Sequence, residues 1–163
     1  MSFTTPDLCD EFAAELQVAE PVFRDFGGRR AFAGPIRTLQ VFEDNALVRR
    51  RLETPGQGCV LVVDGGGSLR RALVGGRLAA LARGNDWSGV VVFGCVRDIE
   101  EIGETEVGVK ALALCPMPAA KAGAGLEDVR VSFAGITFDP GHFAYADENG
   151  LLVARRDLIL HRP

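Results

Sequence analysis

Two short stretches carry side chains that could do chemistry. In Val91-Val92-Phe93-Gly94-Cys95-Val96-Arg97-Asp98-Ile99-Glu100-Glu101, an arginine and an aspartate follow directly on an apolar run that reads as a buried strand. Ligands of open α/β sheets collect at such strand ends. Arg97 offers a planar fork that matches a carboxylate, and Asp98 offers a hard oxygen donor suited to a divalent ion such as Mg²⁺. The same dipeptide also reads as an internal ion pair or a helix cap.

The second stretch, Val62-Val63-Asp64-Gly65-Gly66-Gly67-Ser68-Leu69-Arg70-Arg71-Ala72-Leu73-Val74-Gly75-Gly76-Arg77-Leu78, is read as a buried strand passing through glycines into a helix. The first turn of a helix has N–H groups without internal partners and a partial positive charge, so such a junction can receive phosphate or carboxylate. Three better-known motifs fail here. A dinucleotide fingerprint and a nucleophile elbow around Ser68 would both need glycine at position 70, which is Arg70, and no Lys-Ser or Lys-Thr follows the glycines. The plain alternative is that the glycines only make tight turns.

Other reactive side chains give less. Cys9, Cys59, Cys95 and Cys115 form no Cys-x-x-Cys pair, and only His142 and His161 could join them, so structural zinc is not expected. Cys59, Cys95 and Cys115 lie in apolar runs and read as small core residues. His142, in Asp139-Pro140-Gly141-His142-Phe143, reads as a satisfied or surface histidine beside a turn. Lys110 and Lys121 are the only lysines, and neither falls within the two stretches, so a Schiff base is not expected. The groups Arg49-Arg50-Arg51 and Arg70-Arg71 read as solvated helix faces or as contacts for an acidic partner.

The elements that must position these residues follow from patterning. The 163 residues, 47% hydrophobic and 25% charged, fit one domain, residues 1–163. A net charge of −4 argues against direct nucleic-acid binding, which needs a basic surplus. The N-terminus shows no basic and apolar leader pattern and no apolar run approaches a membrane span, so cytoplasm and no membrane contact are expected.

The spacing of Leu8, Phe12 and Leu16 predicts a short helix opened by a threonine cap and Pro6. Residues 23–34 read as irregular, 35–42 as a half-buried strand, and Asp44-Asn45 as the cap of a helix through Leu52. Continuous apolar strands are expected at Cys59–Val63, Val90–Cys95 and Ala111–Leu114, covered on both faces, with helices around Leu78–Ala82 and Ile99–Ile102 between them. Residues 116–125 read as a loop, and the rest as antiparallel strands with a turn at Glu148-Asn149-Gly150. The fold class is mixed α/β.

Taken together, Gly75-Gly76-Arg77-Leu78, the 18 residues from 79 to 96, and Arg97-Asp98 resemble the signature of the 4-hydroxy-4-methyl-2-oxoglutarate aldolase family, which also contains the regulator of ribonuclease activity A. Leu8-Cys9-Asp10, Phe26-Gly27-Gly28-Arg29, Phe42-Glu43-Asp44-Asn45, Val60–Ser68, Asp128–Val131 and Tyr145-Ala146-Asp147 are similar to the regulator's subgroup. The resemblance implies an RraA-like fold of the swivelling β/β/α type, with parallel central strands and an antiparallel C-terminal part. It implies a class II, divalent-metal-dependent aldolase, with Mg²⁺ or Mn²⁺, that cleaves 4-hydroxy-4-methyl-2-oxoglutarate to two pyruvates and decarboxylates oxaloacetate. By position, the backbone of Gly75, Gly76, Arg77 and Leu78 and the side chain of Arg97 would hold the pyruvyl part, and Asp98 the metal. A homotrimer is implied, with an acidic residue from a neighbouring subunit that has no clear match in residues 155–163. The regulator best known for restraining ribonuclease E resembles this chain but lacks an aspartate after the arginine. The presence of Asp98 favours a working aldolase site, with ribonuclease E binding as the alternative.

Overall fold

In the computed structural model, which describes residues 2–160, the apolar runs form the middle of a mixed sheet. The strands are β1 (Leu16–Val18), β2 (Arg24–Asp25), β3 (Phe32–Gln40), β4 (Val60–Asp64), β5 (Ala72–Val74), β6 (Gly89–Val96), β7 (Gly108–Leu114), β8 (Leu126–Glu127), β9 (Val131–Phe133), β10 (Ile136–Phe138), β11 (Phe143–Asp147) and β12 (Gly150–Ala154). The helices are α1 (Thr5–Phe12), α2 (Ala46–Leu52), α3 (Gly76–Gly84) and α4 (Ile99–Glu104). Along the main path the strand order is β1-β12-β11-β3-β4-β6-β7-β2. The central β3, β4, β6 and β7 run parallel, while β11, β12, β1 and β2 pair antiparallel at the flanks.

The side-chain period of two explains why the central runs are apolar throughout. Leu61 and Val63 of β4 and Val90 and Val92 of β6 pack with Leu47, Val48 and Leu52 of α2, Leu78 and Ala82 of α3, and Ile102 of α4. The alternate residues Val60, Val62 and Val91 face the other way, into a cluster with Val131, Phe133, Ile136 and Phe138 of the β9–β10 hairpin. Each such fully buried side chain contributes roughly 1.5–3 kcal/mol, so Leu61→Ala, which also leaves a void, should cost about 2–5 kcal/mol. A third cluster ties Leu8 of α1 to Tyr145, Leu152 and Leu158.

The short N-terminal helix forms with Pro6 in its first turn, but its cap is Thr4, one residue before the Thr5 of the sequence reading, accepting from Asp7 N at 3.2 Å, and it ends at Phe12, so that Leu16 starts β1. Other local expectations change too. Residues 23–34 are not wholly irregular: β2 lies within them and β3 begins at Phe32, because Phe32 packs its ring against Gly89 and Gly108 and Tyr145 pairs with Ala33. Lys110 is buried in β7, with its ammonium 3.0 Å from Asp25 Oδ1 and donating to the Asp147 carbonyl at 2.8 Å. That lysine is structural. No helix among the described residues is long and apolar enough to cross a membrane. His161 lies outside the described residues, as does the rest of 161–163.

Candidate active site

The strand between the glycine clusters was not expected. β5 pairs in parallel with the end of β6, so the chain does not pass directly from β4 into a helix. Gly65 N and Gly67 N both donate to the Phe93 carbonyl at 3.1 Å, and Gly66 N donates to Asp64 Oδ1 at 2.9 Å. Their donors are used within the turn, which corrects the anion-loop reading for this cluster. The helix N-terminus comes eight residues later, at Gly75-Gly76.

There the two motifs meet. Arg97 N donates to the Val74 carbonyl at 3.0 Å, which holds the end of β6 beside the start of α3. Asp98 then adopts φ 62° and ψ 53°, the left-handed region that aspartate tolerates better than most residues, and this turns the chain sharply into α4. Its carboxylate does not cap its own helix. Instead Asp98 Oδ2 accepts from Gly76 N at 2.9 Å, at the positive end of α3.

A Cβ on Gly75 would lie 2.7 Å from Asp98 Oδ2, and one on Gly76 would lie 2.0 Å from Glu101 Oε2. Two carboxylates, one helical turn apart on the Asp98–Glu101 segment, therefore close over two successive glycines. Side chains at either glycine would push them away.

Of the four backbone donors expected to receive a carboxylate, the Gly76 N–H is already engaged by Asp98. Ala79 N closes the first turn onto the Gly75 carbonyl at 3.0 Å, so the N–H groups of Arg77 and Leu78 precede the first intrahelical bond and face the helix entrance. The Leu78 side chain belongs to the core, so only its backbone can serve a ligand. Arg97 Nη1 donates to the Pro116 carbonyl at 3.3 Å, a single contact that leaves most of the guanidinium's donors uncommitted. Among the described residues no ion pair joins Arg97 to Asp98. The internal-pair reading fails.

These groups form one wall of a cleft of about 690 Å³, a volume suited to a small molecule. A second wall consists of Asn45, Ala46, Arg49, Arg50 and Glu53 around α2, and Pro118 and Lys121 of the segment after β7 complete the lining. Arg49 pairs with Glu53 at 2.9 Å and Arg50 with Glu127 at 3.0 Å, so each already has a carboxylate partner.

The 116–125 segment is held in place by residues before α2. Asn45 N donates to the Ala120 carbonyl and Ala120 N to the Glu43 carbonyl, both at 2.9 Å. The buried Asp44 carboxylate accepts from Ala122 N at 2.8 Å, Gly123 N at 3.2 Å and Ala46 N at 3.1 Å. Burial alone would raise the Asp44 pKa, but these N–H groups outweigh it and hold the carboxyl below its ordinary value. One consequence corrects the sequence reading: Lys121, outside both motifs in sequence, lines the same cleft.

Glu101, Arg49, Arg50, Glu53, Asn45 and Lys121 were not assigned to the site from sequence. Glu101 was findable, because it stands three residues after Asp98 at the start of a helix, where such positions share a face. Lys121 carried no local signal. The four cysteines are free, and burial pushes the Cys59 and Cys95 thiols up, as suits core residues.

No group of three or more His, Cys, Asp or Glu among the described residues could enclose a metal. A closed structural site does not fit. An open Mg²⁺-type site does, because that ion keeps several waters and uses one or two carboxylates with substrate oxygens, which Asp98 and Glu101 can supply.

Comparison with known proteins gives a consistent family. A protein of Alkalilimnicola ehrlichii that carries the provisional name 4-hydroxy-4-methyl-2-oxoglutarate aldolase is 57% identical over 159 residues, 98% of this chain and 99% of that one. The crystal structure of a Geobacillus kaustophilus protein, named S-adenosylmethionine: 2-dimethylmenaquinone methyltransferase, matches with a TM-score of 0.96 and 49% identity, covering 99% of this chain and 100% of that one. The RNA-processing inhibitor RraA from Thermus thermophilis matches with a TM-score of 0.92 and 52% identity over 96% of this chain and 94% of that one. Residues 5–153 match the RraA-like family, described as Aldolase/RraA, and with relatives this similar over nearly its whole length the chain belongs to that family.

Proposed function

We propose that the cleft cleaves 4-hydroxy-4-methyl-2-oxoglutarate into two molecules of pyruvate. The observation that carries this reading is the convergence of the Arg97 fork with the Asp98 and Glu101 carboxylates on the entrance of α3. A 2-oxo acid brings a carboxylate and a ketone oxygen side by side. The N–H groups of Arg77 and Leu78 receive the carboxylate, and Arg97 spans the carboxylate and ketone oxygens with its free donors.

Cleavage of the C3–C4 bond sends its electron pair toward the ketone, giving the enolate of pyruvate, while a water in the cleft takes the 4-hydroxyl proton and the second pyruvate departs with a new carbonyl. Protonation of the enolate at C3 completes the first pyruvate. Arg97 is worth most when negative charge has built on the ketone oxygen, so it favours the transition state over the bound substrate. A divalent cation, Mg²⁺ or Mn²⁺, held by Asp98 with Glu101 beside it, would supply Lewis-acid stabilisation of that charge. Oxaloacetate yields the same enolate when carbon dioxide leaves, so it should be a second substrate.

Pyruvate release from 4-hydroxy-4-methyl-2-oxoglutarate, measured with Mg²⁺ or Mn²⁺ and again after chelation, tests the reading. Activity that survives thorough chelation removes the metal from the scheme, and no release under any condition removes the aldolase. The assembly goes with the proposal: a homotrimer, closed by one repeated interface, in a reducing cytoplasm. Light scattering that returns a monomer mass at micromolar protein contradicts it.

The 52% identity to an RNA-processing inhibitor supports a second reading, binding to a ribonuclease E-type protein through the outer surface. In that case partner affinity should be the same for wild type and Asp98→Asn. The charged lining of the cleft suits a small polyanion rather than the adenine and sulfonium of S-adenosylmethionine.

A further inference from the structure

We propose that Lys121 is the residue by which this cleft reads a second carboxylate, so that it separates 2-oxo diacids from 2-oxo monoacids of the same skeleton. The inference rests on the aldolase reading for its substrate chemistry, but its geometry is independent. Arg97 and the α3 entrance form a carboxylate subsite on one wall. A diacid needs a second cation at a fixed place elsewhere in the cleft. Arg49 and Arg50 on the α2 wall are already paired with Glu53 and Glu127, and Arg77 stands on the α3 wall itself. Lys121 lines the same cleft on a segment tied to residues 43–45 before α2, is exposed, and forms no ion pair among the described residues.

Its position is also fixed, which an ordinary surface lysine's is not. Ala120 on one side is held through both its N–H and its carbonyl, and Ala122 on the other donates to Asp44 at 2.8 Å. A buried carboxylate is a costly device, and here it accepts two N–H groups of the lysine's own segment. Ordering the backbone in advance leaves only the lysine side chain to be immobilised on binding.

The two reactions should feel Lys121 differently. In aldol cleavage the distal carboxylate keeps its charge throughout, so the contact lowers KM and leaves kcat nearly unchanged. In oxaloacetate decarboxylation the distal carboxylate is the group that departs as carbon dioxide. Its charge drains away in the transition state, so a cation on it steadies the bound substrate and does nothing for the chemical step.

The test uses Lys121→Met, which keeps the stem, and Lys121→Arg, which keeps the charge. With Mg²⁺ present, calorimetric titration compares 2-oxoglutarate with 2-oxopentanoate, neither of which has the 4-hydroxyl needed for cleavage. Wild type should prefer the diacid, Lys121→Met should lose about tenfold in diacid affinity with no change for the monoacid, and Lys121→Arg should restore most of the preference. In turnover, Lys121→Met should raise KM for both diacid substrates while kcat for oxaloacetate is held or rises. Equal wild-type affinity for the two 2-oxo acids, or a wild-type preference retained in Lys121→Met, overturns the proposal. A Lys121-dependent preference in a protein that turns over neither substrate keeps the proposal and overturns the aldolase reading; binding of neither acid in a protein that releases pyruvate overturns the proposal and keeps the aldolase reading.

Discussion

Two cavities of the molecule, each combining arginine with a carboxylate, differ in what those groups already hold. In the cleft at the end of β6, Arg97 touches one backbone carbonyl and Asp98 one backbone N–H, so both charges keep unused capacity. In the second cavity, of about 600 Å³ beside β1 and β10, Arg130 Nε donates to Asp139 Oδ1 at 2.7 Å and His142 Nδ1 stands 3.8 Å from Asp139 Oδ2. Gln17, in the same cavity, exchanges both of its amide hydrogen bonds with the Thr137 backbone. There Arg130 and Asp139 answer one another, while Arg155 lines the same cavity outside any ion pair among the described residues and the buried His142 Nδ1 has no hydrogen-bond partner. A cavity can receive a ligand where the fold holds an arginine and an aspartate apart from one another, as it holds Arg97 and Asp98, because only then can a ligand complete them.

The largest test of that contrast is Asp98→Asn. Asparagine tolerates the left-handed backbone and can still accept from Gly76, so the protein should fold as wild type while kcat/KM falls by about 10²–10³. A variant with wild-type turnover would place the chemistry elsewhere. Next comes Arg97→Lys, which keeps the charge and loses the fork. A loss of about 10- to 100-fold is expected, the worth of one charge-assisted hydrogen bond, and steady-state kinetics would show it mainly in kcat.

Asp44→Asn sharpens the comparison at one remove, since Asp44 does not line the cleft and holds the segment that carries Lys121. Chemical denaturation should show a loss of about 1–3 kcal/mol at neutral pH, from weakened hydrogen bonds to a buried charge. The pH dependence has a definite sign. The folded-state pKa of Asp44 lies below its unfolded value, so its contribution is complete above about pH 3.9 and is lost as pH falls through the lower folded value. Wild type should therefore steepen in acid where Asp44→Asn stays flatter.

The smallest effects belong to the second cavity. Arg130→Ala breaks an exposed pair and should change stability by no more than about 1 kcal/mol, with turnover unaltered. His142→Ala should likewise leave pyruvate release unchanged. A marked fall in either would erase the distinction between the two cavities.

The central strands were legible because burial on both faces writes itself into a sequence as an uninterrupted apolar run, as at 60–63 and 90–93. Short elements at the margins were not. β5 has three residues and β2 two, too few to show a period, and each exists only because β6 or β7 offers it a pairing edge. Among the site residues, Gly75, Gly76, Arg97 and Asp98 stood out because glycines before a helix and charge after an apolar strand are rare combinations at short range.

What the sequence alone determined, then, is the α/β pattern and the two ends of the catalytic hypothesis, because strand burial, helix entry and local charge are encoded by neighbours in the chain. Only the tertiary structure decided which glycines meet which carboxylates, that the Gly65–Gly67 donors are consumed in a turn, and that Lys121 lines one cleft with Arg77 and Arg97. The reason is physical: those relations depend on parallel strand register and on a buried aspartate 77 residues before the lysine, and no local spacing can announce a contact made through the sheet and a loop.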